Sequence, residues 1–372
     1  MKCKICNDSS IQIFKQKPIS MWTGDGAFSK NYIDVLLYQC SDCSHVFQAL
    51  SSKDLKKIEA VYESNNAQAS TQLGNGNWGK TRAKKFLKFI PEKNYSSVLE
   101  IGCGNGHLLE YFKTLDVSLL VGIEPSLSKS YNSNGIEYIK DYVTKDLSLR
   151  KKFDLIISSA VFEHIDAIVD TFEFCHNHLN NEGILYFSVP NGELDMKKFD
   201  PAMFAHEHIH YFSKQSITTL CELSSLEVID IYSENDSIYA SVRKVISVTK
   251  EATKKLPAHV YQNAYQESIA NSIKHTQKLF NTYSNILIHG TTNATYNMLQ
   301  WADLTQKNFT LVDNDSEKHS KQFFNKTIRS FDELKATEYD CIIIAPLAYY
   351  QEIRDEYLSH DFTSNIFTFV AH

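Results

Sequence analysis

Across the middle of the chain, short apolar runs alternate with longer stretches whose apolar residues recur every three or four positions. The runs at residues 97–101, 118–123, 136–139, 153–158 and 183–189 are rich in Val, Ile, Leu and Phe, as strands buried on both faces are. Two later runs, 226–232 and 239–242, predict a hairpin at a sheet edge. Helical spacing marks residues 52–62, with Leu55, Ile58 and Tyr62 on one face, then the basic stretch 80–90 and the stretch 107–115. This succession predicts a doubly wound α/β sheet over residues 93–245. A connecting helix is expected over 257–280, carried by Tyr261, Tyr265, Ile269, Ile273 and Phe280. A second set of runs at 285–290, 309–313, 341–345 and 366–369 predicts a small Rossmann-like domain. The resulting division is 1–50, a small module; 51–92, a helical connector with a polar loop; 93–245, the core; 246–284, a helical connector; and 285–372, the C-terminal domain.

Composition narrows the class. The 372 residues carry a net charge of −6 and no basic block, which argues against a nucleic-acid partner. No apolar run has membrane-spanning length, and Met1-Lys2-Cys3-Lys4 leads into polar sequence rather than a signal peptide. The expectation is a cytoplasmic protein with no membrane association, in a compartment where thiols stay reduced. Oligomeric state leaves no mark in the pattern.

In that setting, Cys3-Lys4-Ile5-Cys6 and Cys40-Ser41-Asp42-Cys43 read as metal ligands rather than disulfides. Two such pairs joined by a strand-containing segment, residues 32–38, can supply four thiolates to one structural Zn2+ with no open position for water. Asp42 and His45 are expected in solvent or outside the ligand shell. Cys103, Cys175, Cys221 and Cys341 stand in apolar contexts and read as buried packing residues.

The run 97–101 leads into Glu100-Ile101-Gly102-Cys103-Gly104-Asn105-Gly106 and then a helix. Glycines there permit a sharp turn and close approach of backbone to ligand. Their GxGxG spacing differs from the GxGxxG of dinucleotide binders and suits S-adenosylmethionine, with Glu100 placed to take its ammonium group. The next run ends in Gly122-Ile123-Glu124-Pro125-Ser126, where Glu124 suits two ribose hydroxyls. Asp141 and Tyr142, after the third run, offer an edge for the adenine. The cofactor set is therefore Glu100, Gly102, Gly104, Gly106, Glu124, Asp141 and Tyr142.

Phe204-Ala205-His206-Glu207-His208-Ile209-His210-Tyr211-Phe212 packs three histidines and a glutamate beyond the fifth run. Its alternate spacing is not a helical metal motif, and an acid–base site is preferred: His takes a proton near neutral pH and Glu orients it. His164, in Val161-Phe162-Glu163-His164-Ile165, is a second candidate.

The whole layout resembles the sugar C-methyltransferases that act on nucleotide-linked 4-keto deoxysugars. The resemblance rests on the cysteine module, the Glu-x-Gly-x-Gly-x-Gly loop, the Gly-x-Glu-Pro-Ser turn, Val161 to Ile165, the His-Glu-His-x-x-Tyr-Phe-Ser motif from His206 to Ser213, and the C-terminal domain. It implies a class I methyltransferase core with a seven-stranded sheet, S-adenosylmethionine as methyl donor, and a nucleotide-linked sugar as partner. It assigns His208 as general base, with Glu207 and His164 beside it; Tyr62, Trp78 and His206 are the expected substrate contacts. The sequence departs from that family at Ala205, where a tyrosine is usual, and in the Asn- and Gly-rich stretch 63–79. Rival readings are an O-methyltransferase using the same base, a non-catalytic protein that keeps the cofactor fold, and a nicotinamide oxidoreductase, which the glycine spacing disfavours.

Overall fold

The computed structural model describes residues 1–22, 28–63, 77–234, 236–245, 261 and 263–371. Two compact units divide the chain. The first comprises Met1–Gln12, Leu37–Glu193 and Glu207–Val260; the second comprises Ile13–Leu36, Leu194–His206 and Tyr261–His372.

Strands β1 (Ser10–Trp22), β2 (Phe28–Cys40) and β3 (Val46–Gln48) open the chain. The first unit continues with β4 (Ser97–Ile101), β5 (Leu119–Ile123), β6 (Tyr131–Ser133), β7 (Ile136–Ile139), β8 (Phe153–Ser159), β9 (Leu179–Pro190), β10 (His210–Tyr211), β11 (Leu226–Glu234) and β12 (Ser237–Lys244). Its main sheet runs β11-β12-β9-β8-β4-β5-β7-β6. The five strands from β9 to β7 in that order are mutually parallel, and the β11–β12 hairpin closes one edge antiparallel, as the sequence predicted. This is the class I methyltransferase topology. The sheet has eight strands rather than the expected seven, because Tyr131–Ser133 turns back at Asn134-Gly135 and pairs with β7. Those three residues are exposed and polar or aromatic, so they carry no core periodicity to read.

Strands β4, β5 and β8 are buried along nearly their whole length, and β9 is buried from Leu185 to Val189, which explains their apolar runs. Leu99, Ile156, Phe172, Phe187 and Leu220 fill one layer, and Val98, Leu109, Phe112, Leu155 and Tyr186 the other. Strand order reverses at the β4–β8 boundary, and such a reversal opens a crevice at the carboxyl ends of the strands.

A separate four-stranded sheet has the order β1-β2-β3-β10. Strand β1 is an addition to the sequence reading. Pro18 interrupts its pattern and argues against a central strand, but β1 lies at the sheet edge, where proline is tolerated. In the second unit, β13 (Ile286–His289), β14 (Thr310–Val312), β15 (Gln322–Phe323), β16 (Lys326–Arg329), β17 (Cys341–Ile344) and β18 (Asn365–Thr368) form a sheet ordered β15-β16-β14-β13-β17-β18. All pairings there are parallel except β15–β16, which gives the expected Rossmann-like arrangement. The connecting helix spans Ala264–Thr282; of its expected earlier part, residues 257–260 and 262 lie outside the described residues. Among the described residues no helix is long and apolar enough to cross a membrane.

Candidate functional site

At the carboxyl end of β4 the chain turns through Gly102, Gly104 and Gly106, all at positive φ (73°, 49° and 78°). A Cβ at Gly102 would collide with the Val161 side chain, and one at Gly106 with the Tyr138 hydroxyl, so the turn has no room for side chains. Glu100 is 4% exposed, and its Oε2 has no hydrogen-bond partner among the described residues. Burial, and then the charge of Glu124, push its carboxyl well above the ordinary range, while a backbone hydrogen bond from Leu109 opposes them. A buried carboxyl with an unused oxygen fits a cationic ligand group.

Glu124, after β5, reaches back to the same turn. Its Oε2 accepts from the Gly104 amide at 3.1 Å, and its Oε1 accepts from the Ser126 amide at 2.9 Å and the Ser126 hydroxyl at 2.6 Å. It therefore orders the glycine loop, a role its sequence position did not announce. Asp141 and Tyr142 lie exposed after β7, with the Tyr142 amide donating to Asp141 Oδ1 at 2.8 Å.

On the other side of the strand reversal, β8 runs into a single helical turn, Phe162–His164. The histidine segment is tied to that turn by its backbone: the Ile209 amide donates to the Glu163 carbonyl at 2.7 Å. His164 Nδ1 lies 3.1 Å from the Glu207 carbonyl, which can only accept, so that nitrogen carries a proton. Nε2 is 3.8 Å from Glu163 Oε1, and the His164 and His208 rings meet edge to face at 4.9 Å. Donor atoms of Glu163, His164 and His208 all fall within 4.8 Å of one another. His206 is buried, belongs to the second unit and is not a member of this cluster.

The four N-terminal cysteines converge as well. Sγ separations are 3.7 Å for Cys3–Cys43 and 3.5 Å for both Cys6–Cys40 and Cys6–Cys43. A tetrahedron of Zn–S bonds of about 2.3 Å has edges of about 3.8 Å, so the set fits the ion. The Ile5 and Asp42 amides each donate to the first sulfur of their own pair at 3.4 Å, the same arrangement at both corners. Of the two places expected for His45, the structure takes the one outside the ligand shell: it is fully buried beside β3, with its Nε2 against His210 Nδ1. Cys103, Cys175, Cys221 and Cys341 are buried thiols, as their contexts predicted.

Residues 76–231 match the family model described as methyltransferase domain. The described part of that stretch has the class I methyltransferase fold. A second model, described as C2185-like, N-terminal, matches residues 282–365. Among curated proteins, a malonyl-[acyl-carrier protein] O-methyltransferase of Bacillus anthracis is 23% identical over 171 residues, 40% of this chain and 64% of its own. Another of the same name, from Priestia megaterium, is 28% identical over 146 residues, 35% of this chain and 51% of its own. The chain thus spans about half to two thirds of the length of these relatives. Solved structures with likeness to part of the chain include an S-adenosylmethionine-dependent methyltransferase from Clostridium acetobutylicum, with 16% identity, 44% of this chain and 92% of that one covered, and a TM-score of 0.36. Another is the 1,6-didemethyltoxoflavin-N1-methyltransferase of Burkholderia thailandensis, with 11% identity, 55% and 97% covered, and a TM-score of 0.40. Neither bears on the substrate of this chain.

Within the methyltransferase domain, the structure gathers Glu100, Gly102, Gly104, Gly106 and Glu124 at the reversal, with Asp141 and Tyr142 after the neighbouring parallel strand. It brings His164 and His208 together and adds Glu163, whose buried carboxylate was legible only as part of a quoted motif. Of Glu207 it uses the backbone carbonyl. The side chains of Tyr62 and Trp78 lie outside the described residues.

Proposed function

We propose that this chain transfers a methyl group from S-adenosylmethionine to a carbon next to the 4-ketone of a nucleotide-linked sugar, with His208 as general base. The observation that carries the reading is the convergence of His208, His164 and Glu163 beside the end of β8, next to the reversal that forms the cofactor crevice. Support for the substrate class comes from the His206-to-Ser213 motif together with the cysteine module. S-adenosylmethionine, when bound, supplies an electrophilic methyl group. Glu100 holds its ammonium group, Glu124 its ribose hydroxyls, and Asp141 with Tyr142 borders its base. His208 removes the proton made acidic by the neighbouring ketone, and the buried Glu163 carboxylate stabilises the imidazolium that results. His164, fixed through Nδ1, faces the same space. Cys3, Cys6, Cys40 and Cys43 hold a structural zinc.

The test is a screen of purified nucleotide sugars by mass spectrometry for a gain of one methylene, followed by proton exchange. In deuterated water and without methyl donor, a 4-keto substrate should exchange the hydrogen on the adjacent carbon in the wild type and not in His208→Ala. Methylated product with no such exchange means that oxygen is the acceptor. That second reading is favoured by the relatives named above, which are O-methyltransferases.

A further inference from the structure

Two fully buried histidines outside the catalytic cluster make a continuous link between the cysteine knuckle and that cluster. His45 is 0% exposed and His210 1%. His45 Nε2 lies 2.9 Å from His210 Nδ1, and His210 Nε2 lies 2.9 Å from the Ile165 carbonyl. The carbonyl only accepts, so His210 carries its proton on Nε2 and offers the lone pair of Nδ1. His45 must then donate from Nε2. Burial pushes the His210 pKa down to about 4, which keeps the ring neutral and this polarity fixed at neutral pH. The rings are stacked on each other and on Phe47 and Phe212.

The link has a backbone counterpart. His210 pairs with Phe47 and Tyr211 with Val46, while the Gln48 amide donates to the Ile209 carbonyl at 2.9 Å. The amide of that same Ile209 is held by Glu163, and the Glu207 carbonyl by His164. His208 is therefore suspended between two residues anchored to the turn after β8, and the anchoring strand β3 comes from the knuckle. An ion pair between Lys4, inside the first cysteine pair, and Asp166 joins the knuckle to the same turn.

We propose that the His45–His210 pair is a positioning device: it clamps the histidine segment against the turn after β8 so that His164 and His208 meet, which makes the cysteine knuckle a support of the catalytic cluster. The role of His208 is taken from the function proposed above; the clamp itself is a statement about geometry. Both histidines are shut away from solvent, so they act through others.

The experiment uses the full chain labelled with 15N-histidine, with long-range 1H–15N spectra that report the tautomer of each ring, and calorimetry with S-adenosylhomocysteine as the check on folding. His45→Phe keeps a stacked ring and removes the donor; His45→Gln restores an N–H group; His210→Phe keeps a stacked ring and removes both the acceptor for His45 and the donor for Ile165. The wild type should show His164 with the proton on Nδ1 and His210 with it on Nε2. In His45→Phe and His210→Phe the His164 and His208 signals should shift or broaden while S-adenosylhomocysteine affinity stays within twofold. Turnover should fall at least tenfold in kcat with the KM for methyl donor unchanged, and His45→Gln should recover most of both. If His45→Phe fails to bind S-adenosylhomocysteine, His210→Phe decides. Unchanged His164 and His208 signals in a variant that still binds S-adenosylhomocysteine would overturn the proposal. Ring signals that respond as expected, with no nucleotide sugar methylated by the wild type, would sink the substrate reading and leave the clamp standing.

Discussion

Replacing Glu100 by Gln should strengthen the fold and weaken the cofactor site at once. The carboxyl is 4% exposed, one oxygen has no partner among the described residues, and burial followed by the Glu124 charge raises its pKa. A folded value above the unfolded one means that the native state holds the proton more tightly. Stability therefore falls as pH climbs past the unfolded carboxyl value of about 4.3, and the loss is complete once pH exceeds the folded value. Gln is neutral throughout and removes that loss. The expected gain at neutral pH is about 1 kcal/mol, or about 2–4 °C in melting temperature, and it should vanish in acid. Binding moves the other way. A hydrogen bond from a bound ammonium to a carboxylate contributes about 1.5–3 kcal/mol and one to a neutral amide about 0.5–1.5, so affinity should drop by about 1–1.5 kcal/mol, or about 5–10-fold. Because the free carboxyl must give up its proton to receive the ammonium, wild-type affinity should rise with pH and that of Glu100→Gln should not. Melts in acid and at neutral pH, with calorimetry of S-adenosylhomocysteine in two buffers of different ionisation enthalpy, read both effects. A variant that melts lower at neutral pH and binds like the wild type would refute the reasoning.

Protein purified without added metal should contain about one zinc per chain, and Cys43→Ser should lower both zinc content and melting temperature, since metal affinity is folding free energy here. His208→Ala should keep S-adenosylhomocysteine affinity and lose about 10²–10⁴ in turnover, read by mass spectrometry of product. Gly102→Ala should cost more stability than Gly135→Ala by about 1 kcal/mol or more in denaturant titrations: the φ values are 73° and 76°, but only Gly102 faces Val161, while Gly135 faces open space. Burial opposes the charge of Asp154, but hydrogen bonds from Asn180, Ser96 and Ser97 hold its carboxyl below the ordinary value. Its stabilisation is present above the unfolded value and lost as pH falls through the folded one, so Asp154→Asn should lower stability by about 1–3 kcal/mol at neutral pH and by less in acid.

What the sequence made legible was whatever rests on local pattern. The buried strands of the α/β core announce themselves because both faces are apolar, and the turn at Gly102 because only glycine fits against Val161. The cysteine pairs are legible through their spacing. Features that depend on distant partners were not. Strand β1 hides behind Pro18 until its edge position is known, and β6 hides in polar residues that pair only through their backbone. For His45 the sequence leaves open solvent or a place outside the ligand shell, and only the pairing of β3 with β10, 165 positions away, buries it against His210. Glu163 is legible as part of the segment Val161 to Ile165, but its nearness to His208 belongs to the tertiary fold, in which the Ile209 amide donates to its carbonyl.

The way the chain weaves between its two units bears on the order in which the protein is made. Residues Ile13–Leu36 leave the ribosome early, yet the rest of their unit resumes at Leu194 and is completed only from Tyr261 onward. At about 5–20 residues per second, the wait lasts on the order of 10–45 seconds. During that interval Ile19, Met21, Ile33 and Val35, each almost wholly sheltered in the finished molecule, have no completed unit to enter. The nascent chain therefore presents an adhesive β-forming segment for far longer than a protein whose domains follow one another in sequence, and its yield in cells should depend on translation speed and on chaperones that shield that segment.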